Sequence, residues 1–199
     1  MSVQYSRTIV VTGASRGLGL EWVRQFSDDG QNLVVAIVRN PENAEQSKTL
    51  LRPNVAVVKG DLSDLDSFSA LAAEISKVGG GKVDILINNA GVMIGTGAEP
   101  EVGISKSTPE EWSDQSVDDG SPVLTTCQPL QFNVNVISLV FFTIAMLSLL
   151  KNGRDKKVVN LASMLGDLGF ALAKPELHFS SYAVTKAAVT MANAKFHVE

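Results

Sequence analysis

The chain has 199 residues, 45% hydrophobic and 19% charged, with a formal net charge of −4. That composition suits one globular domain with its own core and excludes disorder as the default. The acidic balance, with no basic cluster, argues against a nucleic-acid partner. A single cysteine, Cys127, excludes an internal disulfide framework and suits a reducing compartment such as the cytoplasm.

Residues 1–7 lead into the first strand without a signal-peptide pattern. That strand is Thr8–Val11. It meets Thr12-Gly13-Ala14-Ser15-Arg16-Gly17-Leu18-Gly19, a glycine-rich turn opening a helix from Gly17 to about Asp28. Such a turn cradles the phosphates of a dinucleotide. Gly13 allows the sharp bend, Gly17 a close approach of the backbone, and Gly19 close packing of the helix, whose free N–H groups face the anion. Three glycines also fit a mere tight connection. Strand two is Leu33–Val38, followed by Arg39-Asn40-Pro41 and a short helix ending before Pro53. Strand three is Val55–Lys59. Ser63 and Asp64 are placed to cap a helix reaching Val78, which Gly79-Gly80-Gly81 stops.

Strand four, Val83–Ile87, ends in Asn88-Asn89-Ala90-Gly91. These residues fit a turn, and equally a strand end where the Asn amides tie neighbouring strands and Gly91 leaves room for a nucleotide. A long irregular connection covers Val92 to about Thr125, with one helical turn at Pro109–Trp112. The next helix, about Thr126 to Lys151, is apolar on nearly all sides over Val136–Leu150. It is too short for a membrane span and reads as a core helix with the sheet on one face and protein, or a partner subunit, on the other. Strand five is Lys157–Leu161, and the last helix starts near Ser180 or Ser181. The alternation predicts an α/β fold, a doubly wound parallel sheet in a single domain over 1–199.

Tyr182-Ala183-Val184-Thr185-Lys186 opens that last helix. Positions i and i+4 share a face, so the Lys186 ammonium can stabilise a Tyr182 phenolate and fit it for acid–base work. The same spacing also arises in an ordinary amphipathic helix. The end of strand two carries no acid to bind a ribose 2′-hydroxyl. It carries Arg39, and Arg16 lies in the glycine turn; two guanidinium groups suit the 2′-phosphate of NADP(H). Each arginine also fits a solvated surface. No metal-ligand spacing appears, and His178 and His197 read as surface or packing residues, Cys127 as a small apolar one.

In this order, T-G-x-x-x-G-x-G, N-N-A-G and Y-x-x-x-K resemble the short-chain dehydrogenase/reductase family over Thr8 to Lys195. The ending Lys195-Phe196-His197 is similar to its C-factor-like branch of fungal ketoreductases and carbonyl reductases. The resemblance implies a Rossmann-type sheet of order 3-2-1-4-5. It places a catalytic Ser163 in Asn160-Leu161-Ala162-Ser163 and a catalytic Asn135 in Asn133-Val134-Asn135-Val136. It makes Asp61, with Leu62 beside it, an adenine contact. The implied cofactor site is Gly13, Ser15, Arg16, Gly17, Leu18, Gly19, Arg39, Asp61, Leu62, Asn89, Ala90 and Gly91, with Tyr182 and Lys186.

The implied reaction is hydride transfer between NADPH and a carbonyl or alcohol substrate. Ser163 and Tyr182 would hold the carbonyl, Tyr182 acting as general acid or base. Lys186 would hold the ribose, and Asn135 a water leading to Lys186. Met93, Met164, Leu165 and Gly169–Phe179 would border the substrate. Family members continue past the Tyr182 helix with a further strand, a Pro-Gly segment and a Thr. A chain ending at Glu199 is therefore expected to lack the family's last strands, as a truncated form, and to leave strand five as an edge. A non-catalytic nucleotide-binding remnant or regulator of the same fold is the alternative. Neither a nucleic-acid nor a membrane partner is expected, and a homodimer fits the apolar helix.

Overall fold

In the computed structural model, which describes residues 5–44, 49–93, 130–177 and 179–198, five parallel strands form one sheet. They are β1 (Arg7–Thr12), β2 (Asn32–Val38), β3 (Val55–Lys59), β4 (Ile85–Asn88) and β5 (Lys157–Asn160). Their spatial order is β3-β2-β1-β4-β5, as the resemblance implies. All seven residues of β2 are buried, the signature of a strand covered on both faces. The described residues fall into two compact units, one within Met1–Ala90 and Leu139–Leu161, the other within Gly91–Ser138 and Ala162–Glu199.

The first unit holds the sheet, with α1 (Gly17–Ser27), α2 (Pro41–Ala44), α3 (Phe68–Gly79) and most of α4 (Ser138–Asn152). On one face Val10, Val35, Ile37 and Leu86 pack with Phe68, Leu71 and Ile75 of α3 and with Phe142 and Met146 of α4. Phe68 meets Phe142 edge to face, ring centroids 5.4 Å apart. On the other face Ile9, Val11, Val34, Ala36 and Ile87 cluster with Val23, Trp22 and Phe26 of α1.

Two local expectations are corrected. β4 starts at Ile85, not Val83, because the Val83 N–H donates to the Leu149 carbonyl instead (2.9 Å). Neither Ser63 nor Asp64 caps α3. The Ser63 N–H and hydroxyl both donate to Asp61 Oδ1 (2.9 and 2.8 Å), and a 3₁₀ turn, Leu65–Ser67, precedes the helix. The stop is as read: Gly80, at φ +64°, and Gly81 both donate their N–H to the Ser76 carbonyl. α4 has one covered face among the described residues, the other being open to a partner. Phe142 and Met146 are fully buried, but Phe141, Ile144 and Leu147 stay 53%, 47% and 36% exposed. The helical stretch Asn133–Asn152 is long and apolar enough to cross a membrane by length and composition, and half of its most apolar window is buried.

The second unit holds an α turn, Leu130–Phe132, a π-helical segment, Asn133–Ile137, a 3₁₀ turn, Met164–Gly166, and the helices α5 (Leu168–Ala173) and α6 (Ser180–His197). α5 is absent from the sequence reading. The Asp167 carboxylate caps it, accepting the Phe170 N–H at 2.7 Å. Residues 94–125 of the long connection, with its expected turn at Pro109–Trp112, the helix start at 126–129, Cys127 and His178 lie outside the described residues.

Candidate active site

The glycine turn is built from the ends of β1 and β4. Gly13 (φ +64°) and Gly17 (φ +57°) both take the left-handed conformation that disfavours a side chain. A Cβ on Gly13 would stand 2.9 Å from the Ala90 Cα, and one on Gly19 would strike the Gly13 carbonyl and the Asn89 amide. Gly17 faces open space, with nothing within 4 Å of a Cβ there. Asn89 locks this arrangement: its Nδ2 donates to the carbonyls of Thr12 (2.8 Å) and Gly13 (3.2 Å). The Thr12 hydroxyl oxygen accepts the N–H of Asn89 (3.0 Å) and of Ala90 (2.9 Å). The sequence reading did not single out this bonding role of Thr12; its hydroxyl at a strand end beside the turn was the available signal. Asn88 ties β4 to its other neighbours, donating to Asn160 Oδ1 (2.8 Å) and Thr143 Oγ1 (2.9 Å).

Ser15, Arg16, Gly17 and Leu18 are exposed, and α1 begins with no side chain capping its N–H groups. Arg39 is exposed at the end of β2. Among the described residues neither Arg16 nor Arg39 makes an ion pair. Asp61 is exposed and Leu62 buried. This is a cradle of open backbone, a helix N-terminus and two cations. It fits a phosphate-bearing dinucleotide.

Within the second unit the four residues of the implied catalytic set lie on three segments. Tyr182 and Lys186 share α6, with Lys186 Nζ 5.6 Å from the centre of the Tyr182 ring. Tyr182 is half-buried and Lys186 only 5% exposed. That burial pushes the lysine pKa down from its ordinary value. Asn135 is 1% exposed, inside the π-helical segment. Its Oδ1 accepts the Val92 N–H and its Nδ2 donates to the Val92 carbonyl, both at 2.8 Å. The second Nδ2 hydrogen goes to Thr185 Oγ1 (3.0 Å). Both amide hydrogens are thus spent on protein. Ser163 is extended and half-buried, and its Oγ accepts the Leu165 N–H (3.2 Å), which leaves its own hydrogen to donate. Gly166 closes the following turn against α6: a Cβ there would stand 2.6 Å from Ala187 N and Lys186 C. That glycine went unread; its place three residues after Ser163 was the signal. Met93 and Met164 are 56% and 65% exposed. No His, Cys, Asp and Glu cluster fit for a metal occurs among the described residues.

The family model described as short chain dehydrogenase matches residues 7–199. The chain belongs to the short-chain dehydrogenase family. Its relatives include the short chain dehydrogenase virK of Hypocrea virens, 31% identical over 194 residues, which cover 96% of this chain and 67% of that protein. This short-chain dehydrogenase chain therefore spans about two thirds of that relative's length. Among solved structures it is similar to the putative carbonyl reductase Sniffer of Caenorhabditis elegans, at 26% identity and a TM-score of 0.73. The match covers 96% of this chain and 78% of that one. An NADPH-bound carbonyl reductase from chicken fatty liver shares the fold, at 24% identity and TM-score 0.73, over 95% of this chain and 71% of that one.

Proposed function

We propose that this chain is an NADP-dependent oxidoreductase that interconverts a carbonyl and an alcohol, with Tyr182 as general acid and base. The observation that carries the reading is the buried Lys186 ammonium set 5.6 Å from the Tyr182 ring, one turn away on the same helix. When bound, the nicotinamide cofactor supplies or accepts the hydride. The glycine turn, with Ser15, Leu18, Asn89, Ala90 and Gly91 around it, holds its diphosphate. Asp61 and Leu62 hold the adenine, and Lys186 the ribose. Ser163 donates its free hydroxyl hydrogen to the substrate oxygen, and Tyr182 delivers a proton to that oxygen as negative charge develops. Asn135 holds the segment around Val92 and α6 in place with both amide hydrogens, and as an acceptor it holds a water leading to Lys186.

The choice of NADP rests on Arg39 and Arg16, exposed cations without ion pairs among the described residues, and on the missing acid after β2. The similarity to a carbonyl reductase that binds NADPH supports it. A cytoplasmic setting and a homodimer formed through the exposed face of α4 complete the reading. Fluorescence titration with NADPH and NADH tests the cofactor. NADPH binds roughly tenfold tighter or more, the equivalent of about 1.4 kcal/mol, and Arg39→Ala removes most of that preference. Equal affinity for both cofactors would contradict the NADP assignment. Tight NADPH binding with no turnover of any ketone or aldehyde would select a non-catalytic nucleotide-binding protein instead.

A further inference from the structure

The segment Gln131–Asn135 and the first turn of α6 run side by side, joined by two rungs of the same make. Gln131, 5% exposed, donates its Nε2 to Ser181 Oγ at 3.1 Å. Asn135, 1% exposed, donates its Nδ2 to Thr185 Oγ1 at 3.0 Å. The two amides are four residues apart, and so are the two hydroxyls. Tyr182 lies between the hydroxyls in sequence, and the second rung reaches it: Thr185 Oγ1 donates to the Tyr182 carbonyl at 2.7 Å. The far side of the Asn135 amide is fixed by its paired bonds to Val92.

We propose that Gln131, Ser181 and Thr185 are positioning residues, whose two amide-to-hydroxyl rungs clasp the first turn of α6 and set the placement of Tyr182. The inference rests on the reading of Tyr182 as the proton donor. A single rung would leave the helix free to pivot about it. Two rungs one turn apart remove that freedom, and sliding α6 by one residue breaks both at once. The π-helical winding of Asn133–Ile137 belongs to the same device. Such widened turns are frequent at functional sites, and each shifts the facing of the side chains around it. Here the re-aimed side chain is Asn135, brought to Val92 and Thr185 together. A general acid acts only within hydrogen-bond reach of the atom it protonates. Misplacement by about 1 Å costs on the order of 10²-fold in rate, so the clasp acts on turnover more than on cofactor capture.

The test compares Thr185→Val, Thr185→Ser, Gln131→Met, Ser181→Ala and the Gln131→Met/Ser181→Ala double variant with wild type and Tyr182→Phe. NADPH is used with whichever ketone or aldehyde the wild type turns over fastest. Thr185→Val is expected to lower kcat on the order of tenfold to a hundredfold, with a smaller rise in KM for NADPH because Lys186 rides on the same turn. Thr185→Ser restores most of the loss. The double variant is no slower than the worse of its two parents, because both remove one shared rung. A wild-type kcat in Thr185→Val beside an inactive Tyr182→Phe overturns the clasp and leaves the oxidoreductase reading standing. Full turnover by Tyr182→Phe, or none by wild type, overturns that reading and the clasp with it. Should Thr185→Val fail to fold, the Gln131–Ser181 cycle decides, and additive losses overturn the clasp.

Discussion

Lys186 keeps an ammonium where only 5% of the residue meets solvent, and burial lowers its pKa. Below the lowered pKa both folded and unfolded chains carry the proton, and the folded state bears the cost of burying it. Between that value and the ordinary 10.5 the unfolded chain holds more protons, so stability rises with pH across this window. Lys186→Met should therefore lose turnover, and its melting temperature should fall relative to wild type as pH climbs toward 10.5. Thermal melts of the two proteins along a pH series check this, and a relative melting temperature that rises with pH would contradict it. The glycines divide in a similar way. Gly13→Ala drives a Cβ to 2.9 Å from backbone and should lose both stability and NADPH binding. Gly17→Ala meets open space and adds only the strain of φ +57°, about 1–2 kcal/mol, so it should fold and yet bind NADPH poorly. Melting and cofactor titration on the same samples separate the two. These glycines were legible because they stand between an apolar strand and a helix. Thr12 was not: its worth lies in the N–H groups of Asn89 and Ala90, more than seventy positions on.

Among the elements, the strands and the long helices followed from the alternation of apolar runs with turns, and β3 matches its expected span at both ends. Two features did not. α5, Leu168–Ala173, has a glycine inside it and no fully buried residue, so neither propensity nor periodicity marked it. The π-helical turn has an ordinary helical sequence, and its widening accompanies bonds from Asn135 to Val92 and Thr185, partners far along the chain. Asp84 was likewise read as one more strand residue. It is fully buried, and its two carboxylate oxygens accept the N–H of Thr8 and of Arg154, each at 2.7 Å. It ties β1 and the turn before β5 to the foot of β4. Asp84→Asn keeps one acceptor and points an NH₂ at the other N–H. The expected cost is about 2 kcal/mol, read as a lower urea midpoint with unchanged slope. A midpoint equal to wild type would show that the carboxylate is not a joint.

For the molecule as a whole, two surfaces invite association. β5 is one of the two edges of the sheet among the described strands, and Val159 on it is 40% exposed. On α4, Phe141, Ile144 and Leu147 form an exposed apolar stripe beside the buried one. If that stripe pairs with a second copy, Phe141→Glu should move the chain from dimer to monomer in light scattering. A wild type that is monomeric at micromolar concentration would remove the homodimer from the account. The fold and the shape of the glycine turn were legible because glycine conformation and strand burial are local properties. Oligomeric state and substrate were not, since both depend on surfaces brought together by the tertiary fold. The account rests above all on proton delivery by Tyr182 beside a buried cation. Its most direct test is NADPH oxidation, followed with a broad set of ketones and aldehydes, by wild type and Tyr182→Phe at matched NADPH affinity. The account predicts turnover of at least one carbonyl by wild type and a loss on the order of 10²-fold or more in the phenylalanine variant. Equal rates for the two proteins would contradict it.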